Sequence, residues 1–409
     1  MAEPAGSSTG TSAMRLTLGL AFGPAVALGL TRFAYSLLLP AMRTDLGWSF
    51  GQAGTMNTAN ALGYLAGAIV AAPLTQRLGS RRSFAAGMAL AAAALLGAAF
   101  TDSFRLQLLL RLAAGIGSAV TFIAGTGLVA KLAQHTQTRA GTLLNAYTAG
   151  AGAGIIVTGL LVPPLLEATG PNGWRWAWVS MAALAAASLI AALPALLRTT
   201  EPDPPAPANK KRDPRRIKPL LLPGLGYFLF GGGYIAYITF VIADLKAAGF
   251  TPGQVTAFWT LLGIAVVAGV PLWGRLLERL RSGHTLALMS TVLVLGALLP
   301  LLTGELAAGL ISAVIFGSSF LAVPAGMAHL ARRRLPATSW NSGIAVLTIT
   351  FAFGQSVGPV LAGILADKSD SANLGLVLAT VTLTAAATVY LTSETRPKSG
   401  VAPKQSTSA

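Results

Sequence analysis

Residues 83–101 read SFAAGMALAAAALLGAAFT, nineteen consecutive positions without a charged side chain. About 20 predominantly apolar residues are what an α-helix needs to cross the hydrocarbon core of a bilayer. Working outward, Arg81 and Arg82 bound this run on one side and Asp102 and Arg105 on the other, and similar runs recur along the chain. Twelve are found, near residues 15–40, 52–75, 83–101, 106–130, 140–164 and 174–197, then 219–243, 254–274, 284–303, 306–330, 340–365 and 373–392. The expected fold class is therefore an all-α integral membrane protein.

Composition points the same way. The chain is 54% hydrophobic and 10% charged, against about 25% charged in soluble domains, so lipid must be its solvent. The absence of cysteine excludes disulfides, thiolate metal ligands and a cysteine nucleophile. A net charge of +16 would suggest nucleic acid in a soluble chain, but here the cations sit mostly in alternate loops. With the N-terminus placed in the cytoplasm, 22 lysines and arginines fall in inside segments, among them Arg77, Arg81, Arg82, Lys131, Arg139, Arg332, Arg333 and Arg334. Only Arg43, Arg105, Arg175, Lys246 and Lys368 fall outside. The positive-inside rule then puts both termini in the cytoplasm of a multi-pass inner-membrane protein. Trp48, Trp174, Trp176 and Trp178 near outer ends, with Trp273 and Trp340 near inner ends, read as interfacial belts.

Residues 1–14 read as a disordered tail, since no apolar stretch there precedes a cleavage site. Residues 198–218 contain TTEPDPPAPANKKRDPRRIK, a basic, proline-rich linker. It divides a six-span half, 15–197, from a second, 219–392, and a C-terminal tail occupies 393–409. The halves repeat each other. At an offset of 202, Gly29, Ala34, Tyr35, Gly47, Gly51, Gln52, Gly67, Leu74, Arg77 and Leu78 fall on Gly231, Ala236, Tyr237, Gly249, Gly253, Gln254, Gly269, Leu276, Arg279 and Leu280. At 204, Gly150, Gly154 and Gly159 fall on Gly354, Gly358 and Gly363. Paired membrane halves of this kind bind substrate between them near the midplane and rock about it.

Several motifs carry a resemblance. Leu74-Thr-Gln-Arg-Leu-Gly-Ser-Arg-Arg82 resembles the loop signature of the major facilitator superfamily, and Gly274-Arg-Leu-Leu-Glu-Arg279 resembles its second copy. Arg111-Leu-Ala-Ala-Gly-Ile-Gly117 is similar to the fourth-span pattern, Gly141, Gly150, Gly154 and Gly159 to the fifth, and Gly173-Trp-Arg-Trp176 to the entry of the sixth. Gly29-Leu-Thr-Arg-Phe-Ala-Tyr35 followed by Leu-Leu-Leu-Pro40 is similar to the opening of the YbfB/YjiJ group. The resemblance implies twelve transmembrane helices in two pseudo-symmetric halves and a secondary transporter, not an enzyme. It also implies conformational roles for Gln76, Arg77, Arg81, Arg82, Arg111, Gly150, Gly154, Glu278 and Arg279. Gln76 stands where the signature has an acid and Ile155 where the fifth-span pattern has a proline. Glu278 is then the candidate to take over the missing charge.

Arg32 is the sharpest signal for a substrate. It lies eight residues before Pro40, roughly 12 Å below the span's outer end at about 1.5 Å per residue, and an arginine at that depth faces a partner. The 13 acidic residues all fall in loops, tails or span edges, so the counter-charge is expected from an organic anion. Tyr234 is its counterpart in the second half, and Tyr35 and Tyr237 lie one turn on. Asn57, Asn60 and Gln355 complete the candidate substrate set. The expectation is a carrier for a small organic anion or polar metabolite, with export of neutral or anionic toxic compounds as the alternative and a non-transporting membrane receptor ranked behind both. A monomer in the lipid bilayer, with a proton as the candidate coupling ion, needs no cofactor, metal or nucleic acid. No P-loop, HExxH, GxSxG triad or EF-hand spacing is present.

Overall fold

The computed structural model describes residues 6–136, 138–201, 218–279, 282–336 and 339–395. Among them, regular structure is entirely helical, and twelve helices are long and apolar enough to cross a membrane. They are Gly10–Leu46, Phe50–Leu78, Ser80–Ala99, Phe104–Thr136, Ala140–Thr169, Gly173–Arg198, Lys218–Ala247, Pro252–Leu276, His284–Leu302, Leu306–Arg334, Ser342–Asp367 and Ala372–Ser393. Most run a few residues past the expected apolar limits, because a helix continues until a cap stops it and not where hydrophobicity ends. The first departs furthest. Helix begins at Gly6, inside the stretch 1–14 expected as a disordered tail, since small Ser, Thr and Ala residues wind onto the span that follows. Most of the linker, 202–217, lies outside the described residues.

Local chemistry explains why the two halves repeat where they do. Gly47, with φ of +64°, and Gly249, with φ of +90°, take the left-handed conformation that terminates the first and seventh spans and that glycine adopts without a Cβ penalty. Two residues later Ser49 opens the second span with a capping box, in which its hydroxyl accepts from the Gln52 backbone N–H and the Gln52 side-chain oxygen accepts from the Ser49 N–H at 2.9 Å. Thr251 and Gln254 build the same box at the eighth span. Farther along, a Cβ on Gly67 would lie 2.6 Å from the Ile116 carbonyl, and one on Gly269 would lie 2.0 Å from that of Ser318. Gly67 and Gly269 thus each seat one helix directly on the backbone of its neighbour two spans later.

An even number of spans returns both ends of the chain and the linker to one face, here called the terminal face. At that face Glu201 folds back, and its carboxylate accepts from the N–H groups of Ser80 at 2.7 Å and Arg81 at 3.0 Å, capping the third span. At the far face the halves are clasped. Asp367, ending the eleventh span, accepts from Phe50 N–H at 2.6 Å, Gly51 N–H at 2.9 Å and the Ser49 hydroxyl at 2.9 Å, all at the start of the second. Arg43 pairs with Asp370 at 2.9 Å and lies 3.7 Å from the centre of the Phe50 ring. Of the tryptophans expected in interfacial belts, Trp174 and Trp178 are wholly buried, and Trp174 donates to Asp45 at 2.7 Å; Trp176 stays exposed. These two rings hold the first half together instead of marking the lipid boundary.

Two predictions arise here. Because the cations concentrate on the terminal face, reporters fused at residue 209 and at the C-terminus should report cytoplasm and one at Gly170 the outside; an exterior signal at 209 would refute the twelve-span orientation. The clasp predicts that Asp367→Ala, by uncapping the second span, raises maleimide labelling of a cysteine at Thr55 several-fold in the purified protein. The cysteine-free chain makes that readout clean. Unchanged labelling would mean that the clasp does not hold the far face shut.

Candidate functional site

The first span is not a uniform α-helix. Residues Ala25–Phe33 wind as a π-helix, with the Ala34 N–H bonding back to Gly29 at 3.1 Å and the Thr31 hydroxyl to the Val26 carbonyl at 2.7 Å. Such i→i+5 segments are rare and cluster at functional sites. Pro24 and the crossing of Gly29 on Gly154 of the fifth span frame this one.

Arg32 projects from that π-segment and is 4% exposed. One of its terminal nitrogens donates to the side-chain carbonyl of Gln355 on the eleventh span, 2% exposed, so the contact bridges the two halves. The guanidinium also lies 5.6 Å from the centre of the Tyr64 ring, on the second span. Among the described residues no carboxylate pairs with it. Its remaining N–H groups, the Gln355 amide nitrogen and the hydroxyls of Tyr64 and Tyr234 make no hydrogen bond there either. The polar groups left open around Arg32 can therefore all donate, though the two tyrosine hydroxyls can also accept, and none carries a negative charge in a region where a buried cation needs compensation.

Against this polar cluster stands an aromatic wall. Tyr227, Phe230 and Tyr234 of the seventh span lie nearly parallel, with neighbouring centroids 6.0 and 5.0 Å apart. Phe351 of the eleventh span stacks on all three, nearest to Tyr227 at 4.5 Å and 9°. Phe320 links the wall to the first span, stacking on Tyr234 at 5.9 Å and meeting Phe33, next to Arg32, edge-on at 5.4 Å.

A second network sits toward the clasp. Arg111, 2% exposed, donates to the Thr31 carbonyl at 2.6 Å and to the Asn57 side-chain oxygen at 3.1 Å, with Tyr35 at 4.9 Å and Trp178 at 5.8 Å from its guanidinium. Asn57 donates in turn to the Thr239 hydroxyl across the interface at 2.7 Å. Beside it Thr58 donates to the Ser356 carbonyl at 2.6 Å.

Of the expected substrate set, the structure brings Arg32 and Gln355 together and places Tyr234 in the adjoining wall. Asn57 belongs to the Arg111 network instead. Tyr35, Asn60 and Tyr237 are placed elsewhere. The Tyr35 hydroxyl donates to the Ala53 carbonyl at 2.9 Å, and Asn60 donates to the Arg111 carbonyl at 3.2 Å. Tyr237 stacks on Phe316 at 4.0 Å and shares a 2.6 Å hydrogen bond with Ser312. The reason for Tyr35 is the π-winding: with more residues in a turn, position 35 no longer shares the face of position 32. Among the residues expected to act in conformational change, Arg81 lies 3.9 Å from Glu201 at the start of the linker, while Gln76, Arg77 and Arg82 are exposed. The side chains of Glu278 and Arg279 lie outside the described residues. Gly150 and Gly154 rest on the first span, where a Cβ would come within 2.1 Å of the Ala21 carbonyl and 2.4 Å of that of Ala25. The aromatic wall has a signal in the sequence, since Tyr227, Phe230 and Tyr234 recur at helical spacing, whereas Glu201 and Asp367 carry no local mark beyond their place at span edges.

Comparison with known proteins agrees with this architecture. Residues 24–391 match a family model described as the uncharacterised MFS-type transporter YbfB. The chain is 31% identical over 293 residues to a chloramphenicol resistance protein of Streptomyces lividans, covering 69% of this chain and 72% of that protein. It is 27% identical over 283 residues to the uncharacterized MFS-type transporter YceJ of Bacillus subtilis (strain 168), covering 68% and 70% respectively. Among solved structures, a mutant form of the nucleoside transporter NupG superposes with a TM-score of 0.76 at 13% identity, covering 92% of this chain and 99% of that one.

Proposed function

The chain belongs to the major facilitator superfamily of transporters, and from that membership we propose that it is a secondary carrier for small organic solutes bearing an anionic or acceptor-rich end. One observation carries this reading. Arg32 is buried at the meeting of the two halves, its protein acceptor among the described residues is the neutral side chain of Gln355, and the polar groups beside it are uncharged and able to donate. A cation so placed favours an arriving carboxylate, phosphonate or sulfonate, since a bidentate anion matches the guanidinium fork.

Transport follows from the same arrangement. The halves 15–197 and 219–392, joined by the linker 198–218, rock about the site, and the far-face clasp marks the state in which that side is shut. With the terminal face in the cytoplasm, that is the state that exchanges solute with the cell interior. The carrier works as a monomer in the cytoplasmic membrane, and Arg111 with Asn57 and Thr239 relays the movement between the halves. The test is a thermal-shift screen of the purified protein followed by uptake into proteoliposomes. Anionic metabolites should stabilise it, by about 2.7 kcal/mol at 100 times the dissociation constant, and the stabilising solutes should accumulate or exchange. Stabilisation by organic cations alone would overturn the reading.

The relative named for chloramphenicol resistance favours a second reading, export of neutral toxic compounds. Expression that raises chloramphenicol tolerance in a susceptible host, through a site insensitive to loss of the Arg32 charge, would select it over the first.

A further inference from the structure

The eleventh span presents Phe351 and Gln355 four residues apart, hence on one face and about 6 Å apart along the axis. Gln355 sits with its planar carbonyl on Arg32. One turn away Phe351, only partly buried, continues the flat stack of Tyr227, Phe230 and Tyr234. We propose that the solutes of this carrier are aromatic carboxylates: the carboxylate takes the place of the Gln355 side chain on Arg32, while the aryl ring stacks beside Phe351. The proposal rests on the anion reading above and narrows it.

Three features favour a ring joined to an acid over either group alone. The stacked side chains differ in plane by only 1° to 9° where Tyr227, Phe230 and Phe351 meet; Tyr227 and Phe230 are buried, and Phe351 is the partly open end of that flat stack, where offset stacking of a further ring is favoured beyond its burial. Gln355 is the weaker occupant of the cation, because a neutral amide oxygen bonds a guanidinium less strongly than a carboxylate does. The amide nitrogen it would free makes no hydrogen bond among the described residues, so its release strands no donor that was paired before. Gln355 lies on the opposite half from Arg32. Its replacement therefore removes one tie between the halves at the moment of loading, which couples occupancy to movement.

The experiment compares benzoate, phenylacetate and 3-phenylpropionate with 3-cyclohexylpropionate on the full-length protein, by titration calorimetry. The aryl acids should bind at least fivefold tighter than the cyclohexyl acid, with phenylacetate or 3-phenylpropionate tightest because they match the ring-to-acid span. Gln355→Ala should tighten binding three- to tenfold, since the acid no longer has a competitor, and Phe351→Leu should erase the aryl preference. Gln355→Glu, an isosteric change that gives Arg32 its own carboxylate, should weaken binding at least tenfold and serves if the alanine variant does not fold. Equal affinity for aryl and cyclohexyl acids overturns the aromatic assignment while leaving the anion reading standing. Weaker binding in Gln355→Ala, or unchanged binding in Gln355→Glu, overturns the displacement of Gln355. Failure of every carboxylate to bind sinks the anion reading itself.

Discussion

Arg32→Ala should reduce affinity for an anionic solute by at least 100-fold while the protein still folds and inserts. The size follows from the setting. Truncating one partner of a buried, hydrogen-bonded charge pair costs about 2–5 kcal/mol, and 100-fold corresponds to about 2.7 kcal/mol. The unliganded fold is spared because Gln355, the group left behind, is neutral, and removing an arginine without a carboxylate partner relieves a desolvation cost. Arg32→Lys should recover part of the loss, since charge returns without the two-pronged fit. Tyr234→Phe should weaken binding by about 0.5–1.5 kcal/mol, the worth of one hydrogen bond. Tyr237→Phe should leave affinity unchanged, because that hydroxyl is engaged by Ser312. Calorimetric titration on each variant, with melting temperature beside it, separates binding from folding. Wild-type affinity in Arg32→Ala would make the residue structural and leave the anion reading without its main support.

The contrast between the two tyrosines shows which parts of the molecule the sequence discloses. Span number and the internal repeat were both legible, because each is set by local composition or by caps a few residues long. Gln52 and Gln254 repeat at one offset since each closes the same capping box, and Gly47 and Gly249 since each must take positive φ. The burial of Arg32 was legible too, since a charge deep within an apolar span must be turned away from lipid.

The geometry around Arg32 was not legible. A π-segment differs from an α-helix by a shift in backbone hydrogen bonding that leaves little trace in composition, yet it moved Tyr35 off the face assigned to it and onto Ala53. Contacts across the halves escaped for another reason. Arg32 meets Gln355, and the start of the second span meets Asp367, through packing between segments more than 300 residues apart in the chain, and no periodicity reaches that far. The acidic residues illustrate the cost of reading position alone. Glu201 and Asp367 do stand at helix edges, but that is where a carboxylate can cap a helix N-terminus brought to it by the fold.

Gly154→Ala should be among the most damaging single-methyl changes in the protein, and Gly141→Ala, in the same span, should be silent. A Cβ at Gly154 would fall 2.4 Å from the Ala25 carbonyl and 2.9 Å from the Gly29 Cα, whereas at Gly141 nothing lies within 4 Å. Those neighbours are backbone atoms, which cannot rotate aside as a side chain would, so the first and fifth spans must separate or bend. Overpacking of this kind costs about 1–3 kcal/mol, and here it falls on the π-segment that carries Arg32. Gly358→Ala should behave like Gly154→Ala, because its Cβ would lie 2.3 Å from the Gly232 carbonyl at the corresponding crossing of the seventh and eleventh spans. Melting temperature in detergent, read with solute affinity, distinguishes packing from a purely conformational role. Lower stability with weakened binding places the glycines in the support of the site. Normal stability and affinity with slowed transport would instead show that the crossings matter only while the halves move.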